Sequence, residues 1–240
     1  MTPAISSPQN ERIKAVRRLQ RAKERKATGR TLLEGPHLLD AALASDITPE
    51  VVFIAEGDTP PSTDAEVIEV TDAVLDAIAP TESPRGPIAV IAVPDAALLE
   101  AEPTVVLWNI ADPGNAGTLI RTAAALGWNV AVHGGADPWS PKVLRAAAGA
   151  HFAVPVARAE SLADIEKAGL SPVATVSDGG VPPDSLVLTG PTALLVGNEA
   201  AGLPREIVEG AGAVVTIPMQ GTESLNVAAA GAIVMYVLGR

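Results

Sequence analysis

Three apolar runs in the second half of the chain each stop in a short stretch of glycine, amide and charged or hydroxyl residues. They are NIADPGNAGTLIRTA at 109–123, LVGNEAAGL at 195–203 and IPMQGTESLNV at 217–227. A buried strand that breaks into a glycine loop and then a helix is how an α/β layer builds a ligand site at the carboxyl ends of its strands. In the first break, Gly114 and Gly117 allow close backbone approach, and the helix N-terminus offers free N–H groups to an anion such as a phosphate. Asn115 and Arg121 stand in the first turns of that helix. In the second, Leu195 and Val196 end a strand, Asn198 and Glu199 follow, and Gly197 and Gly202 let main-chain groups face a ligand. In the third, Ile217 and Met219 end a strand and Gly221 turns the chain. Ser224, Leu225 and Asn226 then open a strongly apolar helix over 225–238, with Ser224 as its N-cap.

The rest of the chain alternates strands and helices. Ile13, Val16 and Leu19, one helical turn apart after Ser6 and Ser7, predict a single basic helix over residues 8–27 ended by Gly29. A small α/β layer follows, with strands at 32–33, 51–54, 67–70 and 86–93 and helices at 37–44 and 72–79. The acidic, alanine-rich stretch 94–103, bounded by two prolines, reads as a linker. Beyond it, strands are expected at 104–110, 129–133, 154–157, 172–176, 192–196 and 213–217, and helices at 117–126, 141–149, 161–168 and 225–238. The expected organisation is a basic N-terminal helix (1–28), an α/β layer (29–95) and a second α/β unit (104–240).

The net charge of −11 argues at first against a nucleic-acid partner, but the charge is polarised. Residues 1–30 hold nine of the 17 Lys and Arg and two of the 28 acids. Arg12, Lys14, Arg17, Arg18 and Arg21 are the candidate phosphate contacts there, the alternative being a solvated helix face. Lys142 and Arg145, one turn apart, form a second basic pair with the same two readings. The chain has no cysteine, which excludes disulfides, thiolate metal sites and a thiol nucleophile, and its three histidines lack zinc-ligand spacing. No metal is expected. No apolar run is long enough for a membrane span and the N-terminus is polar and basic, so a soluble, cytoplasmic protein is expected.

Together the three motifs resemble those of the SpoU (TrmH) family of RNA ribose 2'-O-methyltransferases, in the SPOUT superfamily. The resemblance implies an α/β catalytic domain with a deep trefoil knot around a mainly parallel sheet, and S-adenosylmethionine as cofactor. The cofactor would be bound through Leu195, Val196, Gly197, Asn198, Gly202, Ile217, Met219, Gly221, Ser224 and Leu225, chiefly by backbone groups. Arg121 matches the family's proposed catalytic arginine, Asn115 and Glu199 help to build the site, and Ser224 and Asn226 sit beside the methyl donor and the target ribose. An arginine is a poor general base, with a pKa above about 12. Arg121 either moves the 2'-hydroxyl proton with help from a bound phosphate, or holds that phosphate and stabilises the developing alkoxide. A surface ion pair is the bland alternative for Arg121.

Glu34-Gly35 followed by Leu38-Leu39 and Ala41-Ala42-Leu43, with Ser83-Pro84-Arg85-Gly86 before a strand, resembles the small ribosomal-protein-like RNA-binding domain of rRNA-modifying members. That favours 23S rRNA over tRNA as substrate. The family resemblance also implies a homodimer built mainly by the second unit, for which the small residues Ala228, Ala229, Ala230 and Gly231 of the apolar helix 225–238 offer a close helix contact. Two other readings remain. A non-catalytic RNA-binding or ribosome-assembly protein would not demand the set Asn115, Arg121, Glu199, Ser224 and Asn226. A dinucleotide oxidoreductase would need Gly-x-Gly-x-x-Gly after a strand, which is absent. Within the methyltransferase reading, an antibiotic-resistance rRNA methylase is not distinguished.

Overall fold

The computed structural model describes residues 4–81, 84, 86–221 and 224–240. Ser83 and Arg85 of the N-terminal motif, and Thr222 and Glu223 of the third, lie outside the described residues. The first elements are α1 (Glu11–Arg18), α2 (Ala22–Thr28), β1 (Arg30–Glu34), α3 (Pro36–Leu43), β2 (Val51–Ala55), β3 (Glu66–Val70), α4 (Asp72–Ile78) and β4 (Ile88–Ala92). Then come β5 (Thr104–Trp108), α5 (Pro113–Leu126), β6 (Asn129–His133), α6 (Pro141–Ala146), β7 (Val156–Arg158), α7 (Leu162–Lys167) and β8 (Ser171–Thr175). The chain ends with β9 (Thr192–Val196), α8 (Arg205–Gly210), β10 (Ala213–Val215) and α9 (Val227–Leu238).

The first compact unit comprises Met1–Asp95 together with Trp139–Phe152. Its sheet has the order β1-β4-β2-β3, with β2 and β3 parallel and the other pairs antiparallel. Neighbouring residues of a strand face opposite sides. Leu32 therefore packs with Ile13, Val16, Leu19, Val74 and Ile78, while Leu33 packs with Leu38, Leu39, Ala42 and Leu144 on the other face.

The structure differs from the expected single basic helix. The chain breaks after Leu19, whose side chain is buried, and Arg25 turns back to donate to the carbonyls of Leu19 (3.1 Å) and Gln20 (3.0 Å). Those carbonyls end α1 and need donors that the broken helix no longer supplies. Gln20 Nε2 also donates to the carbonyl oxygens of Ile78 (3.1 Å) and Ala79 (2.7 Å). The N-cap of α1 is Asn10 rather than an upstream serine.

The 104–240 boundary also needs amendment, because Trp139–Phe152 belongs to the first unit. Leu144 is fully buried in that unit's core and Trp139 and Phe152 pack against it. Thr31 Oγ1 donates to the carbonyl of Trp139 (2.6 Å) and Ser45 Oγ to that of Phe152 (2.9 Å). The expected 141–149 helix ends at Ala146. Ala148 and Gly149 take positive φ, and a Cβ on Gly149 would lie 2.9 Å from Ala41 Cβ.

The second unit, Ala96–Pro138 with Ala153–Arg240, is built on six parallel strands in the order β10-β8-β9-β5-β6-β7. β5 and β9 are buried at every position, as central strands of a parallel sheet covered on both faces must be. α5 begins at Pro113, four residues before the expected start, because Asp112 accepts from the Asn115 N–H and caps it. β7 and β10 are displaced or shortened relative to 154–157 and 213–217. α9 lies against α5, where a Cβ on Gly231 would stand 2.5 Å from Leu119 Cδ2. Ala228 and Gly231 are buried within this unit, so they do not form the outer face expected of them.

Candidate active site

The second motif folds as a closed loop at the end of β9. Asn198 N donates to the Gly202 carbonyl (3.1 Å) and Gly202 N to the Asn198 carbonyl (2.9 Å). Only glycine fits at 197, where a Cβ would lie 2.4 Å from both Gly202 C and Leu203 N. Gly202 itself has φ +67°, a conformation that suits glycine.

A polar chain runs from this loop to the other two motifs. Glu199 accepts from the backbone N–H of Ala111 (3.0 Å) and Asp112 (2.9 Å), and from Asn115 Nδ2 (3.1 Å). Asn115 Oδ1 in turn accepts from Asn226 Nδ2 (3.0 Å), and Asn226 Oδ1 accepts the N–H of Ala228 and Ala229. The amide orientations follow from the ends: the α9 N–H groups require an oxygen, which turns the Asn226 donor toward Asn115 and the Asn115 donor toward Glu199. Desolvation pushes the Glu199 carboxyl up. The bonds from Ala111, Asn115 and Asp112 outweigh it and hold the pKa below the ordinary carboxylate value.

Two expectations change here. The N-cap of α9 is Asn226, not Ser224, because it is the Asn226 side chain that reaches the first free N–H groups of the helix. The anion at the start of α5 is the chain's own Glu199, which takes the Ala111 and Asp112 donors that the sequence left for a phosphate.

Beside this chain of bonds lies a cleft of about 440 Å³, in the range typical of small-molecule sites. Of the expected cofactor residues, Gly197, Asn198, Gly202, Ile217, Met219, Ser224 and Leu225 line it, as does Glu199. Leu195 and Val196 are buried in β9 beneath, and neither they nor Gly221 reach the lining. Asn115 and Arg121 stand outside the cleft, Asn115 joined to it through Glu199. Arg121 is exposed on the stripe of α5 that includes Thr118 and Ala125, and it forms no ion pair among the described residues.

Thr175, Val176 and Ser177, at the end of β8, also line the cleft and were missed in the sequence. Their signal is position alone. β8 pairs with β9, so its carboxyl end must open onto the same cleft. Among the described residues no cluster of three His, Cys, Asp or Glu could hold a metal, and no helix is long and apolar enough to cross a membrane.

The candidate RNA contacts of the first unit separate into two groups. Arg12 is ion-paired with Glu66 and Lys14 with Glu11 (2.8 Å), while Arg145 lies 4.0 Å from the buried carboxylate of Glu34. Arg17, Arg18, Arg21 and Lys142 are exposed and form no ion pair among the described residues.

Comparison with known proteins gives the same three motifs a family context. The profile of the SpoU rRNA Methylase family matches residues 102–236, and that of the MRM3-like substrate binding domain matches residues 10–89. The chain is 35% identical to the 23S rRNA (guanosine(2553)-2'-O)-methyltransferase RlmP of Bacillus subtilis, over 98% of each protein. The crystal structure of an AdoMet-bound rRNA methyltransferase from Sinorhizobium meliloti superposes with a TM-score of 0.88 at 31% identity, covering 98% of this chain and 97% of that one. The SpoU methyltransferase AviRb from Streptomyces viridochromogenes, in complex with AdoMet, gives 0.86 at 26% identity, covering 96% and 97%.

Proposed function

The chain belongs to the SpoU rRNA methylase family, and from that premise we propose that it transfers a methyl group from S-adenosylmethionine to a ribose 2'-hydroxyl of 23S rRNA. The observation that carries the proposal is the polar chain Asn226–Asn115–Glu199, which ties all three motifs to one cleft.

The cleft suits the cofactor. Its loop leaves no room for a side chain at Gly197 and so presents main-chain groups, and Ile217, Met219 and Leu225 add apolar lining. S-adenosylmethionine, when bound, supplies an electrophilic methyl group. The chain's own residues supply position and charge. Glu199 does not serve as the base: several donors hold it ionised, and its work is to fix the turn into α5 and the Asn115 side chain. Asn226 fixes the start of α9 beside Ser224. The guanidinium of Arg121 holds an RNA phosphate and stabilises the 2'-oxygen as that oxygen loses its proton to water or phosphate.

In the first unit, the unpaired cations Arg17, Arg18 and Arg21 take the phosphate backbone, with Lys142 on α6. The match to a substrate-binding domain supports rRNA over tRNA. Membership of the family supports the trefoil knot that the motif resemblance implies. The exposed Ile233 and Tyr236 of α9, with Leu225, support a homodimer. The proposal places the protein in the cytoplasm with its RNA. Mapping 2'-O-methyl marks on 23S rRNA and tRNA from cells with and without the protein tests it. One 23S position losing its mark is expected, and a lost tRNA mark would redirect the substrate.

A further inference from the structure

Asn198 touches two segments that carry different halves of the site. Its Oδ1 accepts the N–H of Ala200 and Ala201, both at 3.0 Å, and so shapes the loop that lines the cleft. Those two donors fix which end of the amide is oxygen. The other end, Nδ2, donates to the backbone carbonyl of Asn109 at 2.9 Å and lies 3.4 Å from Glu199 Oε2.

Asn109 is itself unusual. It follows β5 directly and has φ +54°, a left-handed conformation that most side chains disfavour and that asparagine tolerates. Its N–H donates to the His133 carbonyl at 2.7 Å, and its Oδ1 occupies space that a Cβ on Gly134 would need, 2.2 Å away. Immediately beyond it, the N–H groups of Ala111 and Asp112 meet Glu199 and α5 begins, carrying Asn115 and Arg121. One rigid amide group therefore joins the Ala200–Ala201 amides to the turn that aims α5.

We propose that Asn198 is a positioning residue whose side chain links an occupied cleft to the left-handed turn at Asn109, and so to the placement of Asn115 and Arg121 for methyl transfer. This rests on the methyltransferase reading above. Asn198→Asp breaks the link, because it keeps an acceptor for Ala200 and Ala201 but turns an oxygen toward the Asn109 carbonyl and the Glu199 carboxylate. S-adenosylmethionine affinity of this variant by calorimetry is expected within about threefold of the parent. Its single-turnover rate at saturating cofactor is expected to fall at least about tenfold, since misplacement by about 1 Å can cost on the order of 100-fold. Adding Asn109→Gly, which takes the left-handed conformation freely, is expected to recover part of that rate.

A second readout needs no variant. In the parent, added cofactor is expected to slow hydrogen exchange at the Ala111 and Asp112 amides. Affinity and rate falling by the same factor without rescue, an unchanged rate, or exchange at these amides indifferent to cofactor would each overturn the link. A parent that neither binds the cofactor nor methylates RNA would overturn the reading of the whole site, and the link with it.

Discussion

Asn226 and Asn115, 111 residues apart in sequence, are joined side chain to side chain at 3.0 Å, and Asn115 passes the connection to Glu199 at 3.1 Å. Each amide spends its other end locally or on the next member. Three loops from different strands are thereby held in one arrangement, with Glu199 as the anion on which the donors converge.

Asn226 has two separable roles. Asn226→Ala removes the α9 cap and the bond to Asn115 and is expected to cost about 1 kcal/mol of stability, the usual scale for a lost N-cap. Asn226→Asp keeps a good cap but offers Asn115 an oxygen where a donor is needed. Thermal unfolding should show the Asp variant close to the parent while its turnover falls with the Ala variant. An Asp variant as active as the parent would remove the Asn226–Asn115 bond from the mechanism.

Glu199 predicts an acid-side pH dependence. The backbone and Asn115 donors hold its folded pKa below the ordinary carboxylate value, so the unfolded chain binds the proton more readily than the folded one. The stability it contributes is complete above the unfolded value and is lost as pH falls through the lower folded value. Glu199→Gln is expected to lower stability near neutrality and to abolish this group's share of the acid loss. Unfolding curves of parent and variant that stay parallel from neutral pH into acid would contradict the assignment.

The two loop glycines should respond differently. At Gly197 any Cβ meets backbone at 2.4 Å, whereas at Gly202 nothing lies within 4 Å and only the positive φ is strained. Gly197→Ala is therefore expected to weaken S-adenosylmethionine binding more than Gly202→Ala, whose penalty is about 1–2 kcal/mol of backbone strain. Calorimetry giving equal, unchanged affinities would place the cofactor elsewhere.

For the RNA contacts, Arg17, Arg18 and Arg21 are the informative positions. Neutralising all three is expected to reduce the slope of log affinity against log salt by about 2 to 3, at roughly 0.7–0.9 per phosphate contact. Arg12→Ala should leave the slope unchanged, since Arg12 is already paired with Glu66. Deleting residues 1–30 is a poorer test, because it also strips Ile13, Val16 and Leu19 from the core. An unchanged slope in the triple variant would make these cations a solvated face.

The parallel layer and the three loops were legible in the sequence because fully buried strands such as 192–196 end in unmistakable glycine breaks. The break at Leu19 was not, since it depends on Arg25 reaching back to carbonyls that local periodicity cannot see. The inclusion of Trp139–Phe152 in the first unit was equally hidden. It rests on Leu144 filling a core built from residues between Leu33 and Ile91. At the site, residue types pointed to Asn115, Glu199 and Asn226. Their order of donation became visible only once the N–H groups at the start of α9 fixed one end.

The most direct test is single-turnover methyl transfer from S-adenosylmethionine to 23S rRNA by the purified protein, with the RNA digested to nucleosides and identified by mass. The parent is expected to yield a 2'-O-methylated nucleoside. Arg121→Ala should be slower by on the order of 100-fold or more, with cofactor affinity retained, because an interaction made in the transition state appears in the chemical step. Methyl groups found on a base, or an Arg121→Ala rate within a few-fold of the parent, would contradict the account.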